Sequence, residues 1–240
     1  MSLSVERAAT ALAEVSALLS WLEPPPVFIG GATVWLYLDA HGRMNARPTK
    51  DLDCIVPGVA TAAAWFALES DLRAHGWQAD RDGPICRYRS AAGHLVDFLA
   101  QRPQVQGFAG RWFPEAVNHV QQQALPQGES VRILTVPWLF ALKIEAFRDR
   151  GVRDPLASRD LEDLAALLDG CAGIESAIAA EGPALRSHIR GWCSEILANE
   201  DLREALEAQL PRSGSFDAQR GRLRQRVQRM ADSALYVGPS

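Results

Sequence analysis

Val27-Phe-Ile-Gly-Gly31, followed by Arg47-Pro-Thr-Lys-Asp-Leu-Asp-Cys-Ile-Val56, is the part of the chain whose reading decides the fold. Val27-Phe-Ile29 is an apolar run with Pro24-Pro-Pro26 before it and Gly30-Gly31 after it, so it reads as a short buried strand with hard stops at both ends. Ala32 to Ala40 reads as a helix opening directly on the glycine pair. Leu52 to Val56 reads as a second strand. Alternate side chains leave opposite faces of a strand, so Asp51 and Asp53 point one way, about 7 Å apart, while Leu52 and Cys54 point into the core.

Working outward, residues 4–22 carry Ala8, Leu12, Val15, Leu18, Leu19 and Leu22 at helical spacing. Val59 to His75 is a further helix. Cys86 to Arg89 and His94 to Leu99 read as two strands joined by the hairpin turn Ser90-Ala-Ala-Gly93, and Val131 to Val136 as one more strand. After Pro137 the pattern is helical, through segments near 138–149, 155–169, 173–180, 183–198, 200–209 and 217–235, with a weakly structured linker at Pro211-Arg-Ser-Gly-Ser215. The expected class is α+β: a small mixed sheet flanked by helices over 1–135, then a helical bundle over 136–240 ending in a basic helix. No solenoid-period repeat is present.

Composition narrows the function. The 240 residues are 48% hydrophobic, enough for a sizeable core, and a net charge of −4 gives no global attraction to nucleic acid or anionic lipid. The last thirty residues differ, with Arg212, Arg220, Arg222, Arg224, Arg226 and Arg229 against only Asp217 and Asp232. The four cysteines are scattered and lack histidines at ligand spacing, which argues against zinc. Glu6, Arg7 and Glu14 interrupt the first apolar stretch and no long uncharged run follows, so neither signal peptide nor membrane span is expected and a cytoplasmic location is.

The chemistry rests on the carboxylates and the glycines. Magnesium takes hard carboxylate oxygens and completes its shell with water and substrate phosphates, so two or three carboxylates on adjoining strands suffice. Asp51 and Asp53 supply two. Asp97, between Val96 and Phe98 in another apolar run, supplies a third if an antiparallel neighbour carries it to the same centre. Each part has a structural reading as well: a D-x-D can be a solvated strand edge, and a glycine pair can be merely a tight turn. Gly30 and Gly31 before a helix also let backbone N–H groups approach a phosphate. Phosphate and metal together explain both motifs.

The second half contributes Lys143. Leu139, Ala146 and Phe147 share its helical stripe, and a lysine on such a stripe requires a partner, for which Asp160 and Asp163 are the candidates. Asp154 and Pro155 read as N-cap and first residue of the helix carrying them. Arg47 and Thr49 precede the acidic pair and can present a guanidinium and a hydroxyl toward the same mouth, where an arginine suits bidentate phosphate contact.

Phe-Ile-Gly-Gly, a helix, Arg-x-Thr-x-Asp-Leu-Asp and a later Val-Asp-Phe together resemble the nucleotidyltransferase superfamily with the polymerase-beta-like palm. Pro137-Trp-Leu-Phe-Ala-Leu-Lys-Ile-Glu-Ala-Phe147 and Arg159-Asp-Leu-Glu-Asp-Leu164 resemble, more narrowly, the AbiEii-like toxin branch. The resemblance spans roughly residues 27–168. It implies transfer of a nucleoside monophosphate from ATP, GTP or another nucleoside triphosphate, with Asp51, Asp53 and Asp97 holding two Mg²⁺ ions. It also implies that Gly30, Gly31, Arg47, Thr49, Lys143 and Arg159 serve the nucleotide, that Asp160 and Asp163 orient the cations, and that an antitoxin protein exists. The chain departs from much of the superfamily in having Gly31 where a serine is usual, with Thr33 the nearest hydroxyl. The acceptor stays open between tRNA or another RNA, which the basic tail favours slightly, another protein, and a small molecule, as in aminoglycoside-type adenylyltransferases. A non-catalytic nucleotide-binding or partner-binding module on the same scaffold is the remaining alternative.

Overall fold

The computed structural model describes residues 5–47, 49, 51–107, 110–211 and 216–232. The chain divides into two units: 1–33 with 47–135, and 34–46 with 136–240. The second connection falls where the sequence pattern changes from strands to helices, but Val34 to Ala46 belongs to the helical unit although it lies between two strands of the other.

The first unit begins with α1 (Val5–Leu18), which buries Ala8, Leu12 and Val15 and packs on the last strand of the sheet. Strands β1 (Val27–Ile29) and β2 (Leu52–Val56) follow as the sequence predicts. Between them lie α2 (Gly31–Val34), a 3₁₀ turn (Trp35–Tyr37) and α3 (Ala40–Met44), the last two in the helical unit. The single helix expected over Ala32 to Ala40 is therefore two short pieces. Leu38 adopts an extended backbone and Asp39 caps the second piece by accepting from the Gly42 N–H at 2.7 Å.

Helix α4 (Ala62–Ala74), capped by Thr61, buries Trp65, Leu68 and Leu72. Then come β3 (Gln78–Ala79), β4 (Arg87–Arg89), β5 (Leu95–Ala100), α5 (Phe113–Ala116), β6 (Val120–Ala124) and β7 (Ser130–Leu134). Strands β3 and β6 are additions to the sequence reading. The sheet order is β3-β4-β5-β2-β1-β7-β6, with β1–β7 and β2–β5 parallel and the other pairs antiparallel. β1 is central and wholly buried, as a three-residue Val-Phe-Ile run must be. Trp77 and Tyr88 meet Phe98 edge-on at 5.2 and 5.8 Å between ring centroids and fill the core beside β5.

The second unit is built around α6 (Val136–Ala146), whose residues 137–144 are all buried, as expected of a helix apolar on every side. It passes into a π-helical turn (Phe147–Gly151) and, after a 3₁₀ turn (Pro155–Ala157), α7 (Arg159–Gly170) begins. Asp154 caps the 3₁₀ turn, and Ser158, accepting from the Leu161 N–H, caps α7, so the helix starts later than the Asp154-Pro155 signal suggests. Helices α8 (Ile174–Ala179), α9 (Pro183–Ala198), α10 (Glu200–Ala208) and α11 (Phe216–Asp232) complete the unit. The expected linker over 212–215 and the last turn of the basic helix lie outside the described residues. Among the described residues no helix is long and apolar enough to cross a membrane, and all four cysteines are free and buried.

Candidate active site

β1 delivers its last residue, Ile29, as the register partner of Asp53 on β2, and Gly30 turns the chain away at φ 77°. A Cβ placed on Gly30 would lie 2.0 Å from Oδ2 of Asp53. Bare backbone and carboxylate thus occupy one spot, an approach that only glycine permits. The hydroxyl of Thr33 donates to the Gly30 carbonyl at 3.0 Å, so it braces the turn. Because α2 is a single turn, the helix-dipole contribution expected at the glycine pair is small.

Asp97 reaches Asp53 by a route different from the antiparallel one predicted. β2 and β5 are parallel, and Asp53 and Asp97 are direct register partners on them. Their strand neighbours Leu52, Cys54, Val96 and Phe98 are all buried on the other face. Two carboxylates carried side by side at about 5 Å repel by roughly 3 kcal/mol at an effective dielectric of about 20. A cation must offset this.

That cation is Arg87, which sequence reasoning did not single out. Nε and Nη2 of Arg87 donate to the two carboxylate oxygens of Asp97 at 2.7 and 2.8 Å, and Nη2 also donates to Oδ2 of Asp51 at 2.5 Å. The side chains of Arg87, Asp51 and Asp97 are 21%, 27% and 12% exposed. The hydrogen bond that Arg87 donates to Asp97 raises the Arg87 pKa above its already high value; burial opposes this, and the charges of Asp97, Asp51 and Asp53 add to it. The acidic field also reaches the thiols beneath: burial first, then the charge of Asp97 and Asp53, pushes Cys86 up to about 12. A signal for Arg87 was present in the hairpin. The Ser90–Gly93 turn sets the β4–β5 register, and that register puts Arg87 opposite Asp97.

Thr49 is buried and its hydroxyl donates to the Asp51 carbonyl at 3.1 Å, while Arg47 is half-buried on the approach to β2. Thr49 thereby shapes the entry to β2.

In the helical unit Lys143 finds both of the expected partners. Its Nζ lies 2.6 Å from Asp163 Oδ2 and 3.1 Å from Asp160 Oδ1, and all three side chains are at most 8% exposed. Arg150, on the π-helical turn, donates to both oxygens of Asp160 at 2.7 and 3.1 Å from a largely exposed position. Burial would raise the Asp160 carboxyl, but the charge of Lys143 and the hydrogen bond and charge of Arg150 outweigh it and hold the pKa below its ordinary value. Arg159 is exposed in the first turn of α7.

The basic helix is largely spent on its own unit. Leu223, Val227 and Met230 are buried, Arg220 and Arg224 pair with the buried Glu207, Arg226 donates to the Leu168 carbonyl, and Arg229 pairs with Glu175.

Fit to a divalent cation can be judged from the first unit. The donor set is hard carboxylate oxygen, as magnesium requires, with Asp53 against the bare backbone of Gly30 and Asp97 as its register partner. Among the described residues no three His, Cys, Asp or Glu side chains converge as a ready-made cage, and the positive charge at Asp51 and Asp97 is that of Arg87. The chemistry fits, provided that Arg87 yields.

A seven-stranded mixed sheet that brings paired aspartates to a glycine turn, in a chain completed by helices, is a nucleotidyltransferase-like fold. The model of the family described as nucleotidyl transferase AbiEii toxin, type IV toxin–antitoxin system, matches residues 16–240, and the chain belongs to that family. A search of curated proteins finds no match.

Proposed function

We propose that the protein moves a nucleoside monophosphate from a nucleoside triphosphate to an acceptor hydroxyl, releasing pyrophosphate, in a Mg²⁺-dependent reaction. The observation that carries this reading is the Asp53 carboxylate against Gly30 with Asp97 as its register partner. Asp51, Asp53 and Asp97 would hold the magnesium, and Asp97 is the carboxylate we assign to the acceptor hydroxyl. Magnesium, when bound, would supply charge stabilisation for the attacking and leaving oxygens of an in-line displacement. Gly30 lets the Asp53 carboxylate lie against bare backbone.

Lys143 and Arg159 are the cations of the helical unit that we assign to an anionic substrate group. Asp160 and Asp163 fix the position of Lys143. Arg159 sits at the positive end of α7, where a cation gains nothing from the helix itself, and this favours a role toward an anion outside it. The family's description as a type IV toxin supports toxicity by this transfer and an antitoxin that opposes it. RNA is the acceptor class to test first, although the basic tail argues for it less, because Arg220, Arg224, Arg226 and Arg229 are engaged within the helical unit.

The test is incubation with Mg²⁺ and each of the four labelled nucleoside triphosphates, with and without total RNA, followed by assay of pyrophosphate and labelled product. Asp53→Asn should abolish release of pyrophosphate without lowering the melting temperature. Full activity in that variant would discard the assignment.

A further inference from the structure

Arg87 meets Asp97 through both of its carboxylate oxygens and reaches Asp51 with the same guanidinium. These are two of the three carboxylates that the metal reading needs. A guanidinium keeps its proton at any physiological pH, so Arg87 cannot release the carboxylates by titration. It can release them only by moving.

The geometry points to Arg87 as a resident counter-cation that occupies the carboxylate cluster in the metal-free protein and is exchanged for the divalent cation on binding. The inference rests on the metal reading above. A divalent ion coordinated by Asp97 and a guanidinium held at 2.7 to 2.8 Å from the same oxygens would place like charges in near contact, which the half-buried setting does not screen. Without Arg87 the neighbouring Asp53 and Asp97 would repel. The arginine therefore has two effects of opposite sign: it keeps the carboxylate cluster assembled and it weakens the affinity of that cluster for metal. The side chain is 21% exposed, so its displaced head has a path to water.

The experiment uses Mn²⁺ alone as the probe, its free concentration read by electron paramagnetic resonance, with thermal unfolding in parallel. Arg87→Gln should bind Mn²⁺ more tightly than the wild type, by on the order of tenfold for the loss of competing charged hydrogen bonds. It should also melt lower without metal and recover when Mn²⁺ is added. Arg87→Lys, which keeps the charge and loses the fork, should fall between the two and serves as the readout if the glutamine variant does not fold. Asp53→Asn should lose Mn²⁺ in either background. Binding in Arg87→Gln or Arg87→Lys that is equal to or weaker than in the wild type overturns the exchange proposal and leaves the metal reading standing. Absence of Mn²⁺ binding in both wild type and variants overturns the metal reading, and the exchange with it.

Discussion

Gly30 and Asp53 share one volume: the hydrogen that glycine carries in place of a side chain faces Oδ2 of the aspartate, where a methyl carbon would come to 2.0 Å. Sequence alone shows Gly30 as a turn and Asp53 as a strand residue. The structure makes each the reason for the other.

Gly30→Ala should therefore cost more than a backbone penalty. Gly93 also has a positive φ, 88°, but a Cβ there would meet nothing within 4 Å, so Gly93→Ala isolates the cost of the left-handed conformation, about 1–2 kcal/mol. Gly30→Ala should exceed that value in urea unfolding and should abolish pyrophosphate release. Equal stability loss and retained activity in the two variants would refute the shared volume.

Lys143→Met removes the cation from between Asp160 and Asp163. Arg150 still serves Asp160, but Asp163 is 2% exposed and loses a 2.6 Å ion pair. Breaking a buried pair from one side costs about 3–5 kcal/mol. Adding Asp163→Asn should return part of this, and a double-mutant cycle by chemical denaturation measures the coupling.

The acid limb of stability should carry the signature of Asp160 and Glu207. For Glu207, as for Asp160, burial would raise the carboxyl, but hydrogen bonds from Arg224 and Arg220 and their charges bring it below its ordinary value. Both folded-state values lie below the unfolded ones of 3.8 and 4.5. Their contribution is thus complete above those values and drains away as pH falls through the lowered folded ones. Unfolding free energy followed from pH 7 downward should decline less steeply in Asp160→Asn than in the wild type.

Glu207→Gln should loosen α11. Arg220 and Arg224 both converge on this carboxylate, itself 2% exposed, while their own heads are about one-third and one-half exposed. Because solvent screens the arginines, a loss of about 2 kcal/mol is expected. Trypsin should cut within 216–232 faster in the variant. An unchanged cleavage rate would mean that Leu223, Val227 and Met230 hold the helix unaided.

What the sequence made legible were the elements with local causes. Val27–Ile29, Leu52–Val56 and Pro183–Ala198 are bounded by proline, glycine or a change of period, and they appear with the limits read from them. Trp35-Leu-Tyr-Leu38 is apolar at every position, so its pattern is silent about the break there; Asp39 was the cap that could have shown it. Val120-Gln-Gln-Gln-Ala124 is an edge strand with half-exposed polar residues and no alternation to reveal it. The parallel pairing of β2 with β5 depends on distant contacts, and no local signal tells it from an antiparallel one. Asp51, Asp53, Asp97 and Lys143 were visible as residue types in suggestive places. Arg87 became visible only once a register was known, because a lone arginine in a short strand has no periodicity of its own.

The hairpin register has a kinetic corollary. Arg87 lies 10 positions before Asp97 but 36 after Asp51. Loop closure is cheaper for the nearer pair, so β4 and β5 can zip together and neutralise Asp97 before the long crossover docks β5 beside β2. The strand bearing the third acid then arrives at Asp53 already escorted by positive charge, and the nascent chain need not force two bare anions together to complete its sheet.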